Sequence, residues 1–278
     1  MSIESFVLNA LEEDLGRGDL FARIFKPFES SARLLSKDNG VFAGRDYAQV
    51  LAQKMGCEIK WQVEDGQKIN QGDLLANISG DGLKLLQVER TILNILQHAS
   101  GIATQTNLFV EALDGANVKL LDTRKTRPLL RAFEKYAVRC GGGSNHRFGL
   151  DDALMLKDTH LALIGDIKEI IKEARKTLPF TTSIEIECEN YEDAKKAMQA
   201  GADIVMCDNM DCAQMKKVVE YKNTNFPHIL IEASGNVTVE RIREIADTGV
   251  DAISAGSLIH HAHWLDFSMK MEPNFGSR

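Results

Sequence analysis

The stretch SIEIECENYEDAKKAMQAGADIVMCDNM, residues 183–210, decides the fold. Its opening alternates, so Ile184 and Ile186 fall on one side of an extended chain and Glu185 and Glu187 on the other. Tyr191–Ala200 follows with helical character, Gly201 closes the helix, and Asp203 leads into a second apolar strand that ends in Asp208-Asn209. The phrase recurs, since Ala200-Gly-Ala-Asp-Ile-Val is echoed by Thr248-Gly-Val-Asp-Ala-Ile. Strands alternating with helices in this way predict parallel pairing and right-handed crossovers.

The same rhythm holds on both sides of this stretch. Expected strands are Val118–Asp122, Ala153–Lys157, Ser183–Glu187, Asp203–Asp208, His228–Ser234 and Asp251–Gly256. Expected helices are Asp166–Leu178, Tyr191–Ala200, Cys212–Asn223 and Thr238–Thr248. A closed eight-unit barrel takes about 250 residues and only about 150 are available here, so the barrel is expected to be incomplete. Residues 1–104 mix types. A helical face of Ile3, Phe6, Val7, Ala10 and Leu11 precedes short alternating segments at Ser31–Leu35 and Gly40–Ala43. Leu83–Leu113 then has helical spacing, with Ser100-Gly101 as its expected break. The reading is an α/β protein: an N-terminal α+β sandwich domain (1–104, joined by 262–278) packed with an open, incomplete (β/α) barrel of six to seven strands (105–261).

Composition narrows the function. The formal net charge of -7 argues against wholesale binding to nucleic acid or an anionic membrane. No run of eighteen apolar residues occurs and Met1-Ser-Ile-Glu-Ser-Phe lacks a signal-peptide pattern. The five cysteines contain no Cys-x-x-Cys pair, so reduced thiols in a cytoplasmic enzyme are expected.

Chemistry concentrates where the strands end, which in βα barrels is the face of the site. The endings are Asp122-Thr123-Arg124-Lys125, Lys157-Asp158-Thr159-His160, Glu185-Ile186-Glu187, Asp208-Asn209, Glu232-Ala233-Ser234-Gly235-Asn236 and Ser254-Ala255-Gly256-Ser257. The isoleucines of 184–187 belong against helices, which turns both glutamates inward, where carboxylates need a partner or a metal. Between Thr123 and Arg147 lie Arg124, Lys125, Arg127, Arg131, Lys135, Arg139, His146 and Arg147, against one acid, Glu134. Such a cluster in an acidic protein points to an anionic ligand, and arginine forks onto carboxylate or phosphate. Arg131, Lys135 and Arg139 read as a solvated helix face. Ser234-Gly235-Asn236 and Ala255-Gly256-Ser257, after the last two strands, suit a phosphate. His260, His261 and His263 read as surface residues without the acidic partner of a zinc helix. Cys207 reads as core packing and Cys212 as incidental.

These residues assemble into a resemblance. Glu89-Arg90-Thr91, Ser100–Thr104, Asp122–Thr126, Lys135–Val138, Gly141-Gly142-Gly143-x-x-His146-Arg147, Leu156-Lys157-Asp158, Glu185-x-Glu187, Asp208-Asn209-Met210 and Glu232–Asn236 stand in order along almost the whole chain. The chain resembles the quinolinate phosphoribosyltransferase family, departing from its pattern at Leu20-Phe21 and Thr159. The resemblance implies transfer of a phosphoribosyl group from phosphoribosyl pyrophosphate to quinolinate with decarboxylation, giving nicotinate mononucleotide. It implies that Arg90, Thr123, Arg124, His146, Arg147 and Lys157 meet quinolinate. Lys125, Glu187 and Asp208 are implied as catalytic, with Glu187 and Asp208 handling a magnesium ion partly through substrate or water. Ser234, Gly235, Asn236, Ala255, Gly256 and Ser257 would cradle the 5′-phosphate. Arg90 would come from a neighbouring subunit, which implies a homodimer with shared active sites, or a hexamer of such dimers. The alternative within the superfamily is a phosphoribosyltransferase acting on nicotinate or another small heteroaromatic acid, which needs fewer cations. Rivals of other classes are a Schiff-base aldolase using Lys125 or Lys157 and a non-catalytic anion-binding protein.

Overall fold

The computed structural model describes residues 2–161, 163 and 166–272. In chain order its elements begin with α1 (Ile3–Leu15), β1 (Glu29–Ser36), β2 (Gly40–Val41), α2 (Arg45–Lys54), β3 (Glu58–Trp61), β4 (Lys68–Ile69), β5 (Leu74–Asp81) and α3 (Gly82–Ala112). Next come β6 (Lys119–Leu121), α4 (Arg131–Cys140), β7 (Leu154–Leu156), α5 (Asp158–Leu161), α6 (Ile167–Thr177), β8 (Ile184–Cys188) and α7 (Tyr191–Ala200). The last are β9 (Ile204–Asp208), α8 (Cys212–Asn225), β10 (Leu230–Ser234), α9 (Ile242–Ala246), β11 (Ala252–Ser254), α10 (Ser257–His260) and β12 (Phe267–Met271). The described residues fall into two compact units. One is drawn from Met1–Asn107, Ala132–Gly142 and Ala262–Arg278, the other from Leu108–Arg131 and Gly143–His261.

The first unit holds an antiparallel sheet in the order β12-β1-β5-β3. Ala32, Leu34 and Ser36 of β1 are buried while Arg33 is exposed, the period of two that its sequence shows. The late strand β12 pairs with β1 in the register Ala32↔Met271 to Ser36↔Phe267. Helix α1 starts at Ser2, whose Oγ accepts the Ser5 N–H at 3.1 Å, and buries Val7 and Leu11.

Two expectations fail in this unit. Helix α3 runs unbroken through Ser100-Gly101. A Cβ on Gly101 would stand 2.1 Å from the His263 carbonyl oxygen, so this glycine admits a close chain crossing rather than ending a helix. Ser100 Oγ accepts the Ala43 N–H at 2.9 Å, a tertiary bond that supports the helix where its propensity dips. The presumed solvated face of α4 is also wrong for Lys135, which is fully buried, as is Glu134, bonded to His98 Nε2 at 3.1 Å. Arg139 is exposed, and Arg131 donates to the Phe148 carbonyl at 2.7 Å.

The second unit is the strand–helix alternation read from residues 183–210. Its six strands lie in the order β6-β11-β10-β9-β8-β7 and every neighbouring pair is parallel. Asp203 Oδ2 accepts the Ile184 N–H at 2.7 Å, and Asp251 Oδ2 accepts the Ile231 N–H at 2.8 Å. The repeated Gly-x-Asp phrase is thus a device that ties the start of one strand to the start of its neighbour. Of the expected helix Thr238–Thr248 only Ile242–Ala246 is regular.

The sheet curls. Ser144 forms a parallel bridge with Leu121 of β6, and two residues later His146 Nε2 lies 3.3 Å from Glu185 of β8 and 3.3 Å from Glu232 of β10. In a flat sheet, β6 and β8 would be four spacings, roughly 19 Å, apart. The unit is an open TIM-like barrel whose concave face carries the glutamates. Among the described residues no helix is long and apolar enough to cross a membrane.

Candidate active site

Every position that the sequence singled out after a strand of the second unit lies along one edge of its parallel sheet. Parallel pairing brings all six C-terminal ends to the same side. After β6, Thr123 Oγ1 accepts the Lys125 N–H at 3.0 Å and shapes the turn that carries Arg124 and Lys125. After β7, the Lys157 ammonium is hydrogen-bonded to Glu187, near the end of β8. Asp208 ends β9 in register with Ser234 of β10, and its Oδ2 accepts from Asn209 Nδ2 at 3.0 Å. Asn209 and Asn236 both take positive φ, 54° and 48°, and Asn236 Nδ2 donates to Asn209 Oδ1 at 2.9 Å.

Two glycines set the contour of this edge. Gly235 has φ +88° and a Cβ there would meet Asn209 Oδ1 at 2.3 Å, so no other residue fits without moving the loop. A Cβ on Gly256 would stand 2.8 Å from Lys125 Cδ and 3.1 Å from His260 Nε2. The loop after β11 therefore passes directly beneath Lys125. Ser257 Oγ donates to the Val237 carbonyl at 3.5 Å and joins the loops that begin at Ser234 and Ala255.

Behind the edge lies a buried charged network. Asp122, with no exposed surface, accepts the His146 N–H at 2.8 Å and Asn145 Nδ2 at 2.6 Å, anchoring the chain after the Gly141-Gly142-Gly143 turn. His146 Nε2 faces Glu185 and Glu232, which are 1% and 2% exposed. His146 Nδ1 meets the Arg147 N–H at 2.7 Å, and Arg147 Nη1 donates to the Ala153 carbonyl at 2.8 Å. Burial opposes the His146 imidazolium while the two carboxylates favour it, and the Arg147 N–H aimed at Nδ1 leaves the ring to donate through Nε2 alone. Glu185 is pushed upward, first by burial, with the Glu232 charge adding to it. Arg147, 8% exposed, is drawn downward by burial and then by the charge of Arg124. Two guanidinium groups close enough to oppose each other's charge make a place where an anion is favoured.

Placement of the expected residues is uneven. Thr123, Arg124, Lys125, His146, Arg147, Lys157, Glu187, Asp208 and the loops 234–236 and 255–257 belong to the second unit, and Arg90 is an exposed residue of α3 in the first. As placed, both ring nitrogens of His146 meet protein groups. Glu187 and Asp208 offer hard oxygen donors at the ends of adjacent strands β8 and β9, the donor type magnesium takes when phosphates complete its shell. A different group, His146, Glu185 and Glu232, has ligand atoms within 4.8 Å of one another. Its imidazole and its depth suit internal hydrogen bonding better than hydrated magnesium. His260, His261 and His263 are exposed, and Cys207 is buried.

Sequence reasoning gave no role to Glu232, Asp122 or Asn145. Glu232 could have been found by alternation, since Leu230, Glu232 and Ser234 share a face opposite Ile229, Ile231 and Ala233. Asp122 leaves no such signal, because its partners are backbone and amide groups more than twenty positions downstream.

A parallel α/β barrel with cations, carboxylates and two glycine loops on the strand-end face defines an enzyme of sugar-phosphate or nucleotide chemistry. Residues 19–100 match the N-terminal domain of quinolinate phosphoribosyl transferase and residues 102–270 its C-terminal domain. The chain belongs to that family. It is 39% identical over 275 residues to a protein of Synechocystis described as a probable carboxylating nicotinate-nucleotide pyrophosphorylase, covering 98% of this chain and 93% of that one. It is 36% identical over 287 residues to the carboxylating nicotinate-nucleotide pyrophosphorylase of Dictyostelium discoideum, covering 97% and 96%. The crystal structure of NadC from Streptococcus pyogenes superposes with a TM-score of 0.92 at 40% identity, covering 97% of this chain and 96% of that one.

Proposed function

We propose that this chain transfers the phosphoribosyl group of phosphoribosyl pyrophosphate to the ring nitrogen of quinolinate, releasing pyrophosphate and carbon dioxide and forming nicotinate mononucleotide. It is a decarboxylating pentosyltransferase of pyridine nucleotide and NAD biosynthesis. The observation that carries the reading within the site is the gathering of Arg124, Arg147 and Lys157 on the strand-end face, with burial and the Arg124 charge both drawing Arg147 downward. A pyridine with two adjacent carboxylates supplies two charges to that cluster. Nicotinate supplies one.

The division of labour follows from charge. Arg124, Arg147 and Lys157, with Thr123 and an exposed Arg90 from a second subunit, hold the two carboxylates and orient the ring nitrogen toward the sugar. The loops 234–236 and 255–257 offer backbone N–H groups to the 5′-phosphate, beside Lys125. As the bond from C1′ to pyrophosphate breaks, Glu187 and Asp208 face the positive charge that grows on the ribose, and Lys125 faces the departing anion. A magnesium ion, held by Glu187 and Asp208 partly through substrate oxygens or water, would neutralise charge on the pyrophosphate. The new nitrogen–sugar bond makes the ring nitrogen cationic. The electron pair left at the adjacent carbon when carbon dioxide departs is stabilised by that charge and takes a proton. His146 stands behind this set with Glu185 and Glu232. The working form is a cytoplasmic homodimer with shared sites.

The reading is tested by incubating the chain with quinolinate, phosphoribosyl pyrophosphate and magnesium, then measuring carbon dioxide and the mononucleotide. Turnover with nicotinate and none with quinolinate would replace the substrate assignment. Omitting magnesium, and measuring the sedimentation of the protein, test the ion and the dimer separately.

A further inference from the structure

We infer that Glu185 and Glu232 act through His146 as positioning residues for Arg147, so that the dicarboxylate pocket is set from behind by a buried Glu–His–Glu clamp. The inference rests on quinolinate as the acceptor and adds residues to that site.

Geometry carries it. His146 Nε2 is 3.3 Å from an oxygen of each glutamate, and the other oxygen of each, Glu185 Oε1 and Glu232 Oε1, has no hydrogen-bond partner. Both carboxylates are almost wholly buried, and the Nε2–H of His146 is the donor they share. Two contacts from β8 and β10 fix the ring in one orientation, because turning it would strand both glutamates. That orientation presents Nδ1 to the Arg147 N–H at 2.7 Å. Asp122 holds the chain just before, through the His146 N–H and the Asn145 amide, and the Ala153 carbonyl holds the far end of the Arg147 side chain at 2.8 Å. Arg147 is thereby pinned at its backbone and at one guanidinium nitrogen. The remaining guanidinium edge is what an incoming carboxylate can meet, and its direction depends on the imidazole.

The test is a double-mutant cycle read in quinolinate affinity. Quinolinate binding is measured by calorimetry without phosphoribosyl pyrophosphate, and KM for each substrate and kcat are measured in the complete reaction. Glu232→Gln keeps the shape and removes one charge. It should weaken quinolinate binding by about tenfold, the loss expected when a charged contact is misaligned. The KM for phosphoribosyl pyrophosphate and kcat at saturating quinolinate should stay within about twofold of the parent, as expected where only ground-state binding of one substrate is lost. Glu185→Gln should behave alike, and Glu232→Asp should recover part of the loss. In a His146→Asn background the two carboxylates lack their shared imidazole donor, so adding Glu232→Gln should cost nothing further or restore binding. Losses that multiply in the double variant would overturn the inference, as would equal damage to both KM values and kcat in Glu232→Gln. Should one glutamine variant fail to fold, the other and Glu232→Asp read the same coupling. A parent chain that binds quinolinate without turning it over would defeat the proposed reaction and leave the clamp to be judged by calorimetry alone.

Discussion

Two histidines, one in each unit, meet glutamates in different company. In the first unit His98 Nε2 bonds Glu134 at 3.1 Å, stacked on Trp264 with ring centroids 5.3 Å apart and edge-on to Phe133 at 5.2 Å. One imidazole meets one carboxylate inside aromatic packing. In the second unit His146 meets two carboxylates, and Arg147 and Arg124 follow close by. The first arrangement is enclosed by aromatic rings. The second gathers more charge of both signs than internal pairing needs, and that surplus marks a place built for a charged ligand. Burial of a histidine–glutamate pair does not by itself signify a site.

Four measurements would break or sharpen this contrast. The largest effect is expected at the surplus acids: Glu187→Gln should lower kcat by about a hundredfold or more, as loss of one preorganised electrostatic group does. An unchanged kcat would remove Glu187 from the chemistry. Next is the self-contained pair. His98→Ala leaves Glu134 buried without that partner and should cost about 3 kcal/mol of stability, seen in chemical denaturation, with KM for quinolinate unaltered. A selective loss of quinolinate affinity would erase the distinction between the two histidines. Third, Arg147→Ala should weaken quinolinate binding at least about tenfold, since each charged hydrogen bond is worth about 1.5–3 kcal/mol. Normal affinity would mean that the pocket lies elsewhere.

The smallest effect is on pH-dependent stability. Burial holds the Glu185 carboxyl above the ordinary carboxylate range, so the folded state keeps a proton that the unfolded chain releases. That contribution is full below the unfolded value, about 4.3, and is lost as pH rises through the folded one. Glu185→Gln should therefore flatten the fall in Tm on going upward from about pH 4.3. An identical slope in the variant would mean that Glu185 does not hold the proton.

The barrel was legible because parallel strands with short crossovers leave a local mark. Ile184 and Ile186 alternate with Glu185 and Glu187, and the Gly-x-Asp phrase repeats at 201–203 and 249–251. Each of these depends on neighbours in the chain, so a linear reading finds it. Gly101 shows where such reading fails. Its lack of a side chain answers to His263, more than 150 positions away, and a nearby Ser-Gly looks the same whether it ends a helix or admits a crossing. Lys135 failed for a similar reason, because a basic residue on an amphipathic helix reads as solvated until its burial is known. The site was half legible. Strand ends advertise polar residues whatever they do, so Arg124, Lys157, Glu187 and Asp208 stood out, while Asp122 and Glu232 stood in the same endings without a role that their spacing could assign.

The sequence by itself determined the class of fold, the face on which the site lies and the family, because each rests on patterns of residue type at short or ordered spacing. Which charges meet was decided only by tertiary structure. His146 is far along the chain from Glu185 and Glu232, and its Nε2 comes within 3.3 Å of each only because the sheet curls. Curvature arises from strand twist summed over the whole sheet, which no single segment encodes.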